Sequence, residues 1–426
     1  MSLRLSMPSS DENRGIGASA KAWLLGGTAF AVLESAMIWT RIQWAPLAWI
    51  CLVWAIGAGI AFALARRAIP RMLWINGAAI LLAIGLVEGA MWWTLPRNPY
   101  IAPPGVTIEG DFARPHYFIE LPSPGLGYRP RPGMSVDAVK RSNGRVVYSV
   151  HYSVGPDGLR VAPPANEQTD LCVLMFGDSF AWGEGVEDRE TTAYQLGVLS
   201  GGHVKVRNFA FTGYGAHQML WQVQNGDVQR KAGCDPGKPV LAIYQTLPNN
   251  VARVAGLRGW DVYGPRYRLD ADGRPTYADG FDAGDSIRHD RLFVPRRISV
   301  PLSRIQLYSR IFGQDRKTDA FDVQRYAAIV AAARDGLGKA YPRLTFITVV
   351  WPDLEEKAWE PGSHTATLID SLRAAGIDTR PAEAILPGFT AAPAAALIPE
   401  DGHPTAETHR RVAAYFLAQA PAAQLK

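Results

Sequence analysis

The chain has 426 residues, 48% of them hydrophobic, and a formal net charge of +5, and this length leaves room for more than one domain. No run of Lys and Arg exceeds two residues, so the charge indicates a scattered basic surface, and we expect no nucleic-acid partner. The average composition combines two parts, because residues 22–95 are overwhelmingly apolar and the rest resembles an ordinary soluble domain.

Three apolar segments within this region predict three transmembrane helices. They span residues 23–40, 43–65 and 72–95. About 20 apolar residues are needed to cross the hydrocarbon core of a membrane. A signal peptide is the alternative for the first segment, but no small-x-small cleavage site follows it, and the second segment begins almost at once. We therefore expect a membrane anchor, with the lipid bilayer as a partner.

The arginines between these segments predict their orientation. The connector between the second and third segments contains Arg66, Arg67 and Arg71, whereas the first connector contains only Arg41. Cytoplasmic loops are enriched in Lys and Arg. We therefore expect a multi-pass protein of the plasma (inner) membrane, with a cytoplasmic N-terminal tail and an extracytoplasmic or periplasmic domain after residue 95.

Two acidic residues, Glu34 and Glu88, interrupt the apolar segments. Ionisable groups inside a membrane are costly and often functional. The alternative is a protonated carboxyl group hydrogen-bonded inside the helix cluster, or a position near the interface. Glu34 fits the alternative better because it lies close to its helix end, and the role of both residues stays open.

The three cysteines fall into two groups. Cys51 belongs to the second apolar segment and is interpreted as a small apolar side chain. Cys172 opens one apolar run and Cys234 precedes another. Both lie in the outer part of the chain, where disulfides persist. If those runs are neighbouring parallel strands, both cysteines lie at the amino-terminal edge of one sheet. We predict a Cys172–Cys234 disulfide, and the alternative is two unpaired thiols.

The outer part begins with residues 96–170, which are rich in Pro and Gly and contain short alternating runs. They predict a linker followed by a small β-rich lead-in. From residue 171, predicted strands alternate with predicted helices, which is typical of an α/β domain with a parallel sheet covered on both faces. The strands are expected at 171–176, 204–209, 240–244 and 344–350, and the helices at 190–199, 217–228, 321–337 and 405–418.

The predicted organisation is therefore a tail (1–21), a three-helix transmembrane anchor (22–95), a linker and β-rich lead-in (96–170) and a catalytic domain (171–426). Residues 251–320 interrupt the alternation with turn signals such as Asp270-Ala271-Asp272-Gly273. We expect them to form an insertion over the active site.

The strongest chemical signal is Ser179, which ends the triplet Gly177-Asp178-Ser179 directly after a buried strand. Ligands of open α/β sheets bind at the carboxyl ends of strands, which suits a nucleophile. Ser286 ends a second copy of this triplet, but it follows a polar, turn-like stretch and is interpreted as an exposed loop serine. The α/β-hydrolase motif G-x-S-x-G does not match, because Ala181 replaces its last glycine.

A serine hydroxyl needs a base, and the best candidate is His403 with Asp401 two residues before it. In a tight turn this carboxylate can reach the imidazole Nδ1 and leave Nε2 facing the serine. His203 and His217 have no obvious carboxylate, and His409 is expected on the closing helix in a structural role. Asp178 is expected to hold the turn or to cap the following helix.

These two sites, Gly177-Asp178-Ser179 after a strand and Asp401-x-His403 near the end, resemble the first and last blocks of the GDSL/SGNH hydrolases. The resemblance covers roughly residues 170–420. It implies an SGNH fold with a flavodoxin-like parallel sheet between helices, and two further blocks whose glycine and asparagine complete an oxyanion hole.

The second block corresponds to residues 206–215, where a strand, an Asn and a Gly five residues later select Gly213. The third block is normally G-x-N-D, and Asn249 matches its asparagine, while Leu247 replaces the glycine and Asn250 the aspartate. The resemblance implies that the backbone N–H groups of Ser179 and Gly213 and the side-chain amide of Asn249 surround the oxyanion.

Three functions stay open from the sequence. The first is an ester hydrolase acting outside the membrane through an acyl-serine intermediate, on O-acetyl groups of envelope glycans. The second is an O-acyltransferase that modifies an exported polysaccharide, for which three helices are too few to carry the acyl donor, so a multi-span partner would be needed. The third is an inactive glycan-binding or assembly module, supported by the altered third block. None of them calls for a cofactor or a metal ion.

Overall fold

The computed structural model describes residues 18–41, 45–64, 68–94, 106–110, 117–122, 124–167, 169–258, 260–282, 317–354 and 364–419, and the single residues 302, 305, 307 and 362. The chain forms two compact units. Residues 1–101 and 301–314 make up the first, and residues 102–300 and 315–426 the second.

The first unit contains three apolar helices, α1 (Ala18–Arg41), α2 (Pro46–Leu64) and α3 (Ala68–Thr94). Within the described residues, two segments are long and apolar enough to cross a membrane, Pro46–Leu64 and Pro70–Trp93. The apolar part of α1, Gly27–Ile38, is shorter. Two of the three predicted spans therefore have the required length and composition, and the first stays a prediction.

Glu88 lies on α3 and is fully buried. Its carboxylate oxygens accept hydrogen bonds from the indole Nε1 of Trp92 at 3.0 Å and from the backbone N–H of Leu307 at 2.7 Å. Both carboxyl oxygens of Glu88 are thus hydrogen-bonded within the first unit.

Strands of the second unit begin in the region expected to be β-rich. The described strands are β1 (Val106–Gly110), β2 (Phe118–Leu121), β3 (Gly127–Pro130), β4 (Ser135–Ser142), β5 (Arg145–Ser153), β6 (Leu171–Gly177), β7 (Val204–Asn208), β8 (Val240–Thr246), β9 (Pro265–Leu269), β10 (Pro275–Gly280), β11 (Leu344–Val350) and β12 (Asp378–Pro381). The lead-in forms an antiparallel sheet in the order β1-β4-β5 and a β2-β3 hairpin. The tight turn between β4 and β5 is Asn143-Gly144, whose φ angles of 49° and 80° suit a hairpin.

The central sheet is parallel and has the order β7-β6-β8-β11-β12. Numbered within the sheet, this is the 2-1-3-4-5 order of flavodoxin-like folds. Strands β6 and β8 are buried at every position, as their continuous apolar sequences require. The strand order reverses between them, so their carboxyl ends border the crevice in which such folds bind ligands.

Helices cover both faces of this sheet. The described helices of the second unit are α4 (Ser179–Trp182), α5 (Thr192–Leu199), α6 (Ala216–Gln224), α7 (Asp227–Ala232), α8 (Asn249–Val254), α9 (Ala320–Ala340), α10 (Thr365–Ala374), α11 (Ala382–Ile385) and α12 (Ala406–Gln419). Alternate side chains of a strand point to opposite faces. Val173 and Met175 accordingly pack with α5, α12 and the lead-in, and Leu174 and Phe176 pack with α6, α9 and α10.

Two of the differences from the sequence prediction have a clear physical reason. The helix expected over residues 217–228 is divided into α6 and α7, because Gly226 between them adopts a left-handed φ of 70°. Strand β12 was not predicted, since its four residues include Asp378, Arg380 and Pro381 and lack the β-branched or aromatic enrichment of a typical strand.

Candidate active site

Ser179 follows the buried strand β6 and is the first residue of α4. Gly177 makes the bend between them, with a φ of 142°. A Cβ atom at this position would lie 2.5 Å from the backbone oxygen of Gln245 in β8, so a larger residue would force the strands apart. The Asp178 carboxylate accepts a hydrogen bond from the backbone N–H of Phe180 at 3.0 Å and caps α4, as predicted.

The loop before α12 brings His403 to this serine. The imidazole Nε2 lies 2.8 Å from the Ser179 Oγ, and Nδ1 lies 2.6 Å from the Asp401 Oδ2. The loop is tight, because Gly402 has a φ of 84° and its N–H donates to the backbone oxygen of Ile398 at 2.9 Å. Since the carboxylate accepts the proton of Nδ1, Nε2 is left to accept the serine proton.

The charges around His403 make it a stronger base. Burial alone lowers the pKa of this imidazole, but the negative charge of Glu184 and the contact with Asp401 outweigh burial and raise it above the ordinary histidine value. Burial raises the pKa of Asp401, yet hydrogen bonds from His403 and Lys140 bring it down to about 2. Asp401 is therefore ionised at neutral pH, and its negative charge favours a protonated imidazole at His403.

Lys140 was not anticipated as part of the site. It lies on β4 of the lead-in, and its Nζ donates to the Oδ1 of Asp401, the oxygen that His403 does not use. On β5, the other strand of the same hairpin, Arg145 forms an ion pair at 2.8 Å with Glu400, the residue before Asp401. The lead-in sheet therefore contributes to the site rather than acting only as a linker.

Gly213 lies in the loop after β7, as the second block requires. Its φ is 80°, and a Cβ there would lie 2.6 Å from the Tyr128 hydroxyl and 2.8 Å from the indole Nε1 of Trp260. The same hydroxyl donates to the backbone oxygen of Thr212 at 2.9 Å, and the indole N–H donates to the backbone oxygen of Gly213 at 3.4 Å. Position 213 thus requires glycine for both its conformation and its space.

Asn249 is the first residue of α8 and follows β8. Its Oδ1 accepts two hydrogen bonds from Arg258, one from Nε at 2.9 Å and one from Nη2. Asn250, which replaces the aspartate of the third block, is buried and donates from Nδ2 to the Thr246 Oγ1 at 2.9 Å. Asn250 therefore makes a structural hydrogen bond of its own, and Asn249 still places a side-chain amide at the carboxyl end of β8.

A cavity of about 190 Å³ adjoins these residues. Its wall includes Asn249, Gly402 and Phe180, whose ring centroid lies 5.3 Å from that of His403. The remaining lining residues are Leu247, Trp351, Pro352, Asp353, Leu354, Phe389 and Leu397. Most of the lining residues are apolar, and Asn249 and Asp353 add polar groups to the wall.

The chain resembles known proteins in structure and not in sequence. No family model matches the chain, and no curated protein matches it. Among solved structures, it is similar to the psychrotrophic esterase EstA from Pseudoalteromonas sp. at 11% identity and a TM-score of 0.31, covering 58% of this chain and 94% of that one. A protein described as a GDSL-like lipase from Parabacteroides merdae shares 13% identity with a TM-score of 0.32, covering 62% and 100%.

A carbohydrate esterase family 2 enzyme from Corynascus thermopiles shares 14% identity with a TM-score of 0.33, covering 75% of this chain and 86% of that one. At these identities and TM-scores, none of the three assigns a substrate or a reaction to this chain. The four blocks follow one another in the expected order, and they lie at one edge of the parallel sheet. Both are properties of this chain and do not depend on the similar structures.

The chain is similar to the GDSL/SGNH serine hydrolases.

Other histidines of the second unit also have acidic neighbours, although the sequence shows no obvious carboxylate for His203 or His217. His203 Nδ1 lies 3.2 Å from Asp170, and the buried His217 Nε2 lies 2.7 Å from Asp261. Both carboxylates are distant in sequence, so no local spacing reveals them. Ser286 lies outside the described residues.

His409 has the structural position expected of it. It is buried on α12, and its Nδ1 lies 2.8 Å from the Thr192 Oγ1 of α5. Burial lowers the pKa of this imidazole to about 3. It is therefore neutral at neutral pH and joins α5 and α12.

Three large aromatic side chains close to the carboxyl ends of the strands belong to the core. Trp182, Tyr214 and Trp351 are 0%, 3% and 2% exposed, so they pack inside the domain. Only Trp351 among these three also borders the cavity. Trp260, which the sequence did not single out, is 42% exposed beside Gly213.

The structure joins Cys172 and Cys234 in a disulfide with a Cα–Cα distance of 5.9 Å. Cys172 lies at the start of β6 and Cys234 directly after α7, at the edge of the sheet opposite to Ser179. Cys51 is free and buried in α2. Among the described residues, no group of three or more His, Cys, Asp or Glu side chains could hold a metal ion.

Proposed function

We propose that the chain is a serine-dependent ester hydrolase in which Ser179 is the nucleophile, His403 the base and Asp401 the residue that orients and charges the base. One observation supports this most directly. An unbroken hydrogen-bonded chain runs from the Ser179 Oγ through His403 to Asp401, at 2.8 Å and 2.6 Å, at the edge of a parallel sheet where substrates bind.

In the proposed first half-reaction, the Ser179 Oγ attacks the ester carbonyl carbon while its proton passes to the Nε2 of His403. The carbonyl oxygen becomes an oxyanion, stabilised by the N–H groups of Ser179 and Gly213 and by the Asn249 amide. The tetrahedral intermediate then breaks its bond to the alcohol oxygen, which takes the proton from His403. The products are the free alcohol and an acyl-Ser179 ester.

In the second half-reaction, a water molecule gives a proton to His403 and attacks the acyl carbon. The bond to the Ser179 Oγ breaks, the Oγ takes the proton back, and the carboxylic acid leaves. A sugar hydroxyl in place of water would turn the same intermediate into an acyl transfer. That alternative needs an acyl donor outside the membrane, and hence a multi-span partner that supplies it.

The proposed substrates are O-acetyl groups of envelope glycans, reached outside the membrane. The helices α2 and α3 have the length and composition of membrane spans, and the arginines between them favour a cytoplasmic connector. The cavity of about 190 Å³, lined mostly by apolar residues, suits a small acyl group. A protease added to spheroplasts should therefore cleave the domain, and full protection would contradict the orientation.

The test uses the full chain in lipid nanodiscs with 4-nitrophenyl acetate. Ser179→Ala should lower kcat/KM by at least about 10³-fold, as removal of a triad member does. Ser286→Ala is the matched control, because it removes the serine of the second Gly-Asp-Ser triplet. Equal activity in all three proteins would refute the assignment, and no activity in any would favour the inactive glycan-binding or assembly module.

The same preparation separates hydrolysis from transfer. An oligosaccharide acceptor is added with the acetyl ester, and free acetate and acetylated sugar are measured by mass spectrometry. Acetate alone supports the hydrolase. Acetylated sugar that forms with wild type and not with Ser179→Ala would support the O-acyltransferase.

A further inference from the structure

An oxyanion hole needs the Asn249 side chain in one orientation. Only Nδ2 carries protons, so a flipped amide would present an acceptor oxygen to the oxyanion and destabilise it. The third block of this chain lacks its usual neighbours, since Leu247 and Asn250 replace the glycine and the aspartate. Asn250 donates to Thr246 instead, and its buried amide does not orient Asn249.

Arg258 makes the contact that determines this orientation. Its Nε and Nη2 both donate to the Asn249 Oδ1, the first at 2.9 Å. A guanidinium has five N–H donors and no acceptor, so it can bind only the oxygen of the amide. The oxygen therefore faces Arg258 and Nδ2 faces away from it. Among the described residues, no group accepts a hydrogen bond from this Nδ2.

Asn249 and Gly402 line the same cavity, and so does Phe180, the residue after the nucleophile. The amide is therefore on the wall beside the reacting groups. Two residues after Arg258, the indole of Trp260 donates to the backbone oxygen of Gly213 at 3.4 Å. Arg258 and Trp260 thus contact Asn249 and Gly213, the two residues proposed to complete the oxyanion hole beside Ser179.

We infer that Arg258 is a positioning residue, which holds the Asn249 amide with Nδ2 toward the oxyanion and strengthens that donor through its positive charge. This inference rests on the proposed ester hydrolysis. A charge-assisted pair of hydrogen bonds to one oxygen both restricts rotation of the amide and polarises its N–H bonds. Arg258 does not touch the substrate and acts through Asn249.

Loss of Arg258 should lower kcat more than it changes KM, because the oxyanion exists only in the transition state and the intermediates. Arg258→Met keeps much of the side-chain length and removes both hydrogen bonds. We expect kcat to fall about 10- to 100-fold, less than the 10²–10³-fold typical for removal of the donor itself. Arg258→Lys keeps the charge without the paired donors and should be intermediate.

The decisive experiment is a double-mutant cycle in the full chain, with 4-nitrophenyl acetate as substrate. It compares wild type, Asn249→Ala, Arg258→Met and the double variant. If Arg258 acts through Asn249, its substitution has little further effect once the amide is gone. Arg274→Met in the β9–β10 turn is the matched control, since Arg274 is exposed and pairs only with Asp272 among the described residues, and it should keep wild-type kcat.

Added guanidinium ion should restore part of the kcat of Arg258→Ala and none of that of Asn249→Ala. Equal losses from Arg258→Met in both backgrounds, or unchanged kcat, would overturn the inference. If Arg258→Met unfolds, as a lowered Tm would show, the cycle is run with Arg258→Lys. Activity that survives Ser179→Ala would refute the proposed function instead, so the two failures are distinct.

Discussion

The contact between Lys140 and Asp401 makes a prediction about pH. Hydrolysis requires neutral His403, so kcat/KM should fall as the pH drops through the pKa of this imidazole. That pKa is raised above its ordinary value, which places the wild-type midpoint above about 6.5. Lys140→Met removes a positive charge close to the imidazole. The imidazolium is then easier to form, the pKa of His403 rises further, and the acid limb should move to higher pH.

The distance between the Lys140 ammonium group and the His403 imidazolium determines the size of this pKa shift. Lys140 binds one oxygen of the Asp401 carboxylate and His403 binds the other at 2.6 Å. The two cationic groups are therefore roughly 5 Å apart, where unit charges at an effective dielectric constant of about 20 repel by about 3 kcal/mol. The Lys140 side chain is 16% exposed, and solvent screening of about half leaves an upward displacement of about one pH unit.

The assay is the pH profile of kcat/KM from pH 5 to 9 with the acetyl ester. Lys140→Arg keeps the charge and should keep the wild-type midpoint. Arg145→Met is the second control, because Arg145 lies on the same hairpin but pairs with the exposed Glu400. A midpoint that stays in place or moves to lower pH in Lys140→Met would refute the electrostatic reasoning.

Two further predictions concern Gly213 and His409. In Gly213→Ala, the new Cβ would lie 2.6 Å from the Tyr128 hydroxyl, so the loop must shift, and we expect kcat/KM to fall about 10²-fold; activity close to wild type would show that this N–H is not a donor. His409 has a pKa of about 3 in the folded chain, compared with about 6.5 in the unfolded chain. Between these two pH values only the unfolded chain binds the proton, so the free energy of unfolding decreases as the pH falls below about 6.5. Between pH 7 and 5 this amounts to about 2 kcal/mol. Thermal unfolding of His409→Gln should therefore depend less on pH, and equal slopes would contradict this.

Local signals predicted the centre of the site. Ser179 follows a fully buried strand, and Asp401 and His403 are two residues apart, so periodicity and short spacing suffice to identify them. These local signals did not reveal contacts between residues that are distant in the sequence. Lys140 lies 261 positions from Asp401, on a strand whose sequence indicates only β structure.

The same distinction applies to His203 and His217, for which the sequence shows no obvious carboxylate. Their partners Asp170 and Asp261 lie 33 and 44 positions away. A sequence pattern reports contacts within one element or one turn, whereas these contacts are made by the packing of separate elements. Candidate bases are therefore best excluded by their burial and geometry.

The sequence by itself determined the apolar helices, the buried strands β6 and β8, and the Gly-Asp-Ser triplet at a strand end, because each depends on neighbouring residues and their hydrophobic pattern. The tertiary structure decided the strand order, the short edge strand β12, and which distant cations reach the site. Lys140 meets Asp401, and Arg258 meets Asn249, only after the lead-in and the insertion pack against the sheet. Such contacts follow from the chain's path through space, which no local propensity encodes.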